Sequence, residues 1–320
     1  MLKLSRIAVF CTVLVAILRA PLAGAEPVKV AVSIKPVGDL VAAVMQGVGT
    51  PSVLIPPGRS PHTYALKPSE RAAAEQAQVV FWIGPDVEPA LNPVTRSLPK
   101  STEVVTLSTA PGMNLLPARQ GGDWERKRPA PKLHHDGEDH EQEHAHTGSF
   151  DGHLWLSPTN AKTIVRTAER VLAAKDPAHA AQYQANADKA VQTIDAMTAE
   201  LTLQLQPVKH KPFIVFHDAY QYFEHAFGLR AVGSLLVSPE AMANARRVSQ
   251  MRDKIQSLGV VCVFTEPQFE PKLVQTLVEG TPVRVGTLDP LGAKGPLGLA
   301  GYTQLMRQLA TNLSQCLSAR

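Results

Sequence analysis

The chain has 320 residues, of which 44% are hydrophobic and 19% charged, with a formal charge of +4. That length fits about two domains by ordinary size priors. Acids and bases nearly balance and no basic cluster stands out, which excludes a nucleic-acid binder of the usual electrostatic kind.

Lys3 and Arg6, the apolar run 7–18 and the small residues Ala23-Gly24-Ala25 predict a secretory signal peptide over 1–25, cleaved after Ala25. The run is shorter than the ~20 residues of a spanning helix, and Cys11 lies inside it, so neither a membrane anchor nor a lipid-modified cysteine is expected. No later segment is apolar enough to span. Cleavage removes Lys3, Arg6 and Arg19 and no acid, lowering the formal charge of +4 by three. It also removes Cys11 and leaves Cys262 and Cys316. In an exported chain such a pair reads as one disulfide, the alternative being two buried thiols.

The mature chain alternates strand and helix patterns. Val28, Val30, Val32 and Ile34 have strand period, and a helix is predicted over 39–46. Ser52-Val53-Leu54-Ile55 reads as a short strand closed by Pro56-Pro57-Gly58. Ser69 is expected to cap a helix that runs to Gln76, and strands are predicted over 79–83 and 104–107. These are β-α units of a parallel sheet covered by helices. From 109 to 150 the chain carries Pro, Gly and charge without apolar period, which reads as a long loop.

Helices follow Pro158. The stretch 177–205 has apolar residues at helical spacing from Tyr183 to Leu201 and no internal Pro or Gly. It is longer than one small domain needs and reads as a link between two. The second half repeats the alternation, with strands over 213–216, 232–237, 260–264 and 283–288 and helices between them and at the end. The expected fold is therefore α/β with two lobes, each a roughly four-stranded parallel sheet flanked by helices. The first lobe occupies 26–175, with an acidic, histidine-rich loop at 132–147. The linking helix occupies 176–206 and the second lobe 207–320.

Histidines carry the chemistry. His134, His135, His140, His144 and His146 crowd one window of the long loop among five acids. Imidazole and carboxylate together bind divalent transition metals. Three more histidines stand where ordered loops should leave strands. His62 follows the second strand, His153 lies where order resumes, and His217 ends the strand 213–216. Asp289 ends the last strand of the second lobe. Loops at strand carboxyl ends meet in the crevice of such folds, and three imidazoles with one carboxylate suit tetrahedral zinc. His179, His210 and His225 read as ordinary surface or helix residues.

The motifs together resemble a known family. They are Ser60-Pro61-His62-Thr63-Tyr64 with Lys67-Pro68-Ser69, Asp151-Gly152-His153-Leu154-Trp155-Leu156-Ser157-Pro158, Phe216-His217-Asp218-Ala219-Tyr220, Phe264-Thr265-Glu266-Pro267-Gln268 and Gly286-Thr287-Leu288-Asp289-Pro290-Leu291-Gly292. The chain resembles the zinc-binding component of bacterial zinc ABC transporters, the ZnuA-like cluster A-I family, over essentially its whole mature length. The resemblance implies a rigid two-lobed periplasmic monomer with Zn²⁺ between the lobes on His62, His153 and His217. It also implies pairing of Cys262 with Cys316, and a permease and a separate ATPase as partners. Pro61 stands where some members carry a glutamate before the first ligand, which leaves Asp289 or a water as the fourth ligand. Gly152 stands where members often carry proline and is expected to loosen the loop of His153.

Three imidazoles favour zinc over manganese, which prefers oxygen donors. The competing classes are a zinc enzyme with an open water position and a metal-buffering or adhesion protein without a transporter. No nucleophile elbow or nucleotide phosphate loop occurs in the sequence, and the His-Glu-x-x-His spacing of His140 to His144 falls in the long loop without helical period rather than on the helix that motif requires, so neither catalysis nor ATP hydrolysis by this chain is expected.

Overall fold

In a computed structural model of the chain, the residues described are 26–119, 150–236 and 245–318. The predicted signal peptide, 1–25, and the loop 132–147 with its five histidines lie outside them.

The first lobe runs β1 (Val30–Val32), α1 (Lys35–Val44), β2 (Ser52–Val53), α2 (Pro68–Gln76), β3 (Val79–Trp82), α3 (Asn92–Ser97) and β4 (Glu103–Thr106). Helices α4 (Pro158–Lys175) and α5 (Ala180–Leu205) follow. The second lobe runs β5 (Phe213–His217), α6 (Gln221–Phe227), β6 (Ala231–Leu236), α7 (Ala245–Leu258), β7 (Cys262–Thr265), α8 (Lys272–Val278), β8 (Arg284–Thr287) and α9 (Leu299–Ser318).

Each lobe holds one four-stranded parallel sheet, ordered β2-β1-β3-β4 and β6-β5-β7-β8. The inner strands are apolar on both faces, as in Val79–Trp82, because helices cover both sides. In each sheet the chain first steps to one side of the opening strand and then crosses to the other. This puts a topological switch at the carboxyl ends of β1 and β3 and again at those of β5 and β7, where a crevice forms.

Two helix starts differ from the sequence reading. Helix α1 begins at Lys35 rather than at Asp39, since Pro36 sits in its first turn, where a missing N–H costs nothing. Helix α2 is entered through Lys67 rather than capped by Ser69. Glu70 reaches back to accept from the Lys67 N–H at 2.7 Å, and the Tyr64 hydroxyl donates to the same carboxylate at 2.8 Å. Helix α3 has no strong apolar period and was not expected from sequence.

Helix α5 has 26 residues and spans about 39 Å at 1.5 Å per residue. It packs against α1, α4 and α9. A single apolar core runs through both lobes, from Val30 and Phe81 through Ile194 and Leu201 to Phe213, Phe264 and Leu309. A second core, with Ile214, Phe216, Ile255 and Leu277, covers the other face of the second sheet. Polar ties also cross between the lobes. Trp155 Nε1 donates to the Pro290 carbonyl at 2.8 Å, and the Tyr302 hydroxyl to the Trp155 carbonyl at 2.9 Å. The shared core and these ties join the two walls of the crevice. Cys262 of β7 and Cys316 of α9 form a disulfide, with Cα atoms 6.1 Å apart.

Candidate metal centre

His62 lies in the turn after β2, with the Tyr64 N–H closing that turn on the Ser60 carbonyl at 3.2 Å. His153 opens the short helical turn Leu154–Leu156 that leads into α4. His217 is the last residue of β5, at the switch point of the second sheet. All three are buried, at 7%, 3% and 3% exposure, although imidazole is usually at least partly wet. They are the one group of three or more His, Cys, Asp or Glu side chains among the described residues whose donor atoms converge, all within 4.8 Å of one another.

The spacing is that of a chelate. His62 Nε2 lies 3.2 Å from His153 Nε2, and His217 Nε2 lies 3.4 Å from it. Two nitrogens bound tetrahedrally to one zinc ion, with bonds of about 2.05 Å, stand about 3.3 Å apart. His153 Nε2 therefore already stands at the separation from both other Nε2 atoms that one ion imposes.

A carboxylate stands beside the Nδ1 edge of two of the rings. Asp151 Oδ1 lies 2.8 Å from His153 Nδ1 and also accepts from the His153 N–H at 3.0 Å. An ionised carboxylate only accepts, so the ring proton sits on Nδ1 and the Nε2 lone pair faces the crevice. Burial raises the Asp151 carboxyl, but the His153 contacts and the Arg119 charge outweigh it and hold the group below its usual range. Glu266, just after β7, places Oε2 2.7 Å from His217 Nδ1, and its Oε1 accepts from the His217 N–H at 3.3 Å. Neither carboxylate was a sequence-level candidate. The signal available was position: Asp151 two residues before a candidate ligand, and Glu266 at the end of the strand beside β5.

Asp289 is not brought into this group. Its Oδ1 accepts from Gln268 Nε2 at 2.8 Å and from the Leu291 N–H at 3.0 Å, and its Oδ2 from the Ala293 N–H at 2.9 Å. These bonds close the turn after β8 and occupy three of the roughly four acceptor sites of the carboxylate. The cavity ahead of the histidines, about 10 Å³, is bounded by Pro61, Trp155, Phe269, Pro290 and Leu291, with Ser60, Glu266 and Gln268 as its further polar members. That is about the space of one water molecule.

Gly152 does the opposite of what its conformational freedom suggests. A Cβ there would stand 1.9 Å from Val87 Cγ2, so the glycine tightens the His153 loop by admitting close contact with the connection that follows β3. Behind this loop, Arg119 pairs with Glu224 at 2.9 Å and Asp218 at 3.7 Å. Burial lifts the Asp218 carboxyl well above its ordinary range against the pull of Arg119, with Asp151 and Glu224 adding to the rise.

Two α/β lobes tied by a long helix, with three imidazoles converging in the crevice, define a two-lobed metal-binding protein. The family model of ZnuA, the periplasmic component A of the zinc-uptake complex, matches residues 30–316, and the chain belongs to that family. A high-affinity zinc uptake system protein ZnuA from Brucella suis is 45% identical over 312 residues, covering 90% of this chain and 91% of that one. The protein of the same description from Yersinia pestis is 35% identical over 289 residues, covering 90% and 91%. Among solved structures, a crystal structure of ZnuA superposes with a TM-score of 0.75 at 24% identity, covering 91% of this chain and all of that one, which bears on the fold.

Proposed function

We propose that the chain is the periplasmic component of an ABC-type zinc uptake system: it captures Zn²⁺ in the crevice on His62, His153 and His217 and delivers it to a membrane permease driven by a separate ATPase. The observation that carries this is the convergence of three buried imidazoles, with His153 Nε2 at zinc-chelate spacing from the other two and a carboxylate beside Nδ1 of two of the rings. Binding, rather than hydrolysis, fits a centre enclosed by apolar side chains with space for one small fourth ligand. Family membership supports the transport role, since the curated relatives are named as zinc uptake proteins. No helix among the described residues is long and apolar enough to cross a membrane, so movement across one requires partners.

The mature chain would begin at residue 26, with the first lobe over 26–175, the link over 176–206 and the second lobe over 207–320. His134, His135, His140, His144 and His146 would act as accessory, weaker collectors of zinc. A segment that must order itself around an ion loses conformational entropy that a preformed centre does not. Asp289 would serve the centre by shaping the turn that carries Pro290 and Leu291 rather than by direct coordination, and the fourth ligand would be water.

Zinc competition against a chromophoric chelator tests the reading. His62→Ala, His153→Ala and His217→Ala should each weaken tight binding by at least about tenfold, as each removes one of three nitrogen donors. Wild-type affinity in His217→Ala would sink the proposed centre. Asp289→Asn should leave tight binding within about threefold, since an amide oxygen can still accept hydrogen bonds, whereas a direct ligand would lose far more.

A further inference from the structure

The His153 loop has no room to retreat. Upstream, the Asp151 N–H donates to the Leu116 carbonyl at 2.8 Å, and the Tyr222 hydroxyl of α6 donates to the Asp151 carbonyl at 2.7 Å. Downstream, the Leu156 N–H returns to the His153 carbonyl at 3.2 Å, and Trp155 is tied to Pro290. Between these pins lies Gly152, pressed against Val87.

Val87 is equally fixed. It belongs to the connection 83–88 at the carboxyl end of β3. There the fully buried Glu88 carboxylate turns back to accept from the Ile83 N–H at 2.8 Å and the Gly84 N–H at 3.3 Å. Gly84 lies at φ 145° and close to Ser108: a Cβ on it would stand 2.8 Å from Ser108 Oγ. The Ser108 N–H in turn donates to the Ile83 carbonyl at 3.0 Å. The Val87 side chain, 2% exposed, is therefore a rigid stop standing directly behind the His153 loop.

We propose that Val87 is a positioning residue for His153: the Glu88-fastened connection 83–88 holds Val87 Cγ2 in the space a side chain at 152 would fill, and this contact sets how far the His153 ring projects into the crevice. The inference rests on His153 being an ion ligand. Its consequence is that residues 87 and 152 form one complementary pair. A bulkier residue at 152 requires a smaller one at 87.

Gly152→Ala places a methyl 1.9 Å from Val87 Cγ2, an overlap that neither backbone can absorb locally, so His153 must move. Truncating Val87 to Ala leaves its Cβ as the nearest side-chain atom, at 3.3 Å, which is close but tolerable. The test is a double-mutant cycle on the full mature chain. It reads zinc affinity by chelator competition and the visible absorption of bound Co²⁺, whose intensity reports coordination geometry. Gly152→Ala is expected to weaken zinc about tenfold or more, the usual scale for disturbing a residue that orients a ligand, and to change the Co²⁺ spectrum. In the Val87→Ala background the same Gly152→Ala change should cost less than about threefold and leave the spectrum alone. Should Gly152→Ala alone fail to fold, comparison of the double variant with Val87→Ala still decides. Near-equal affinities support the pairing, and a tenfold gap between them overturns it. An equal loss in both backgrounds, or none in either, also overturns it. His153→Ala separates the two layers. If it binds zinc like wild type, the ligand assignment itself fails. If it loses zinc while Gly152→Ala does not, only the role of Val87 falls.

Discussion

The carboxylate of Asp151 and the imidazole of His153, two residues apart in sequence, meet twice: through the backbone N–H at 3.0 Å and through ring Nδ1 at 2.8 Å. The first contact fixes the loop and the second fixes the tautomer. Removing the carboxylate should therefore cost affinity without removing a donor. Asp151→Ala is expected to weaken zinc binding by about 10- to 100-fold. Asp151→Asn, whose amide oxygen can still accept from Nδ1, should lose less. Chelator competition measures both, and equal affinity in wild type and Asp151→Ala would remove Asp151 from the centre.

The Lys35–Asp39 pair is nearly dry, at 4% and 0% exposure with 2.7 Å between its charges. It also joins the lobes, because Lys35 Nζ donates to the Pro296 carbonyl at 3.0 Å and the Gly298 N–H donates to Asp39 at 3.1 Å. Lys35→Met would leave a buried carboxylate without its cation, which typically costs about 3–5 kcal/mol. Chemical denaturation should show that loss. The double change Lys35→Met/Asp39→Leu should recover much of it, since an apolar pair leaves no uncompensated charge.

Glu88 makes stability depend on pH. Burial pushes its carboxyl from 4.5 up to about 7, against the neighbouring Ser33 hydroxyl and the backbone N–H groups of Gly84 and Ile83, which pull it down. In the unfolded chain it ionises near 4.5, so between there and about pH 7 the folded state holds the extra proton and stability falls as pH rises. The effect is complete above about 7 and amounts to roughly 3 kcal/mol on this shift. Glu88→Gln should thus gain stability relative to wild type as pH increases across that window. Urea midpoints at several pH values would show it, and a difference constant with pH would refute it.

Cys262 and Cys316 close a loop with a sequence separation of 54. Cross-linking a loop of that size restricts the unfolded chain by up to about 4 kcal/mol in the chain-entropy model. Cys262→Ala/Cys316→Ala should lower the melting temperature while leaving tight zinc affinity close to wild type, because neither cysteine is among the residues that line the crevice. A zinc affinity that fell in step with stability would show that the bridge also holds the centre.

Much of this protein is determined by the sequence alone. Strands such as Val79–Trp82 and Phe213–His217 are apolar on both faces and interleaved with helical patterns, so they leave little choice but two parallel α/β lobes. The uninterrupted helical spacing of Tyr183, Ala187, Ile194 and Leu201 marks the link. His62, His153 and His217 are conspicuous because imidazole at successive strand ends has a specific chemistry, and the cysteine pair is conspicuous by its number once the compartment is read.

The rest depends on distances between segments far apart in the chain, which local pattern does not carry. Asp289 looks like a ligand from its place after β8, yet the turn it enters offers it two N–H groups and the Gln268 amide, so local hydrogen bonding competes for its lone pairs. Glu266 looks like one more acid in a loop until parallel pairing of β5 with β7 brings it beside His217. Gly152 reads as freedom in one dimension and proves to be a constraint in three, because only the folded chain puts Val87, 65 positions earlier, against it. Sequence sets which chemistry is available; packing decides which of those groups is left with a free lone pair facing the ion.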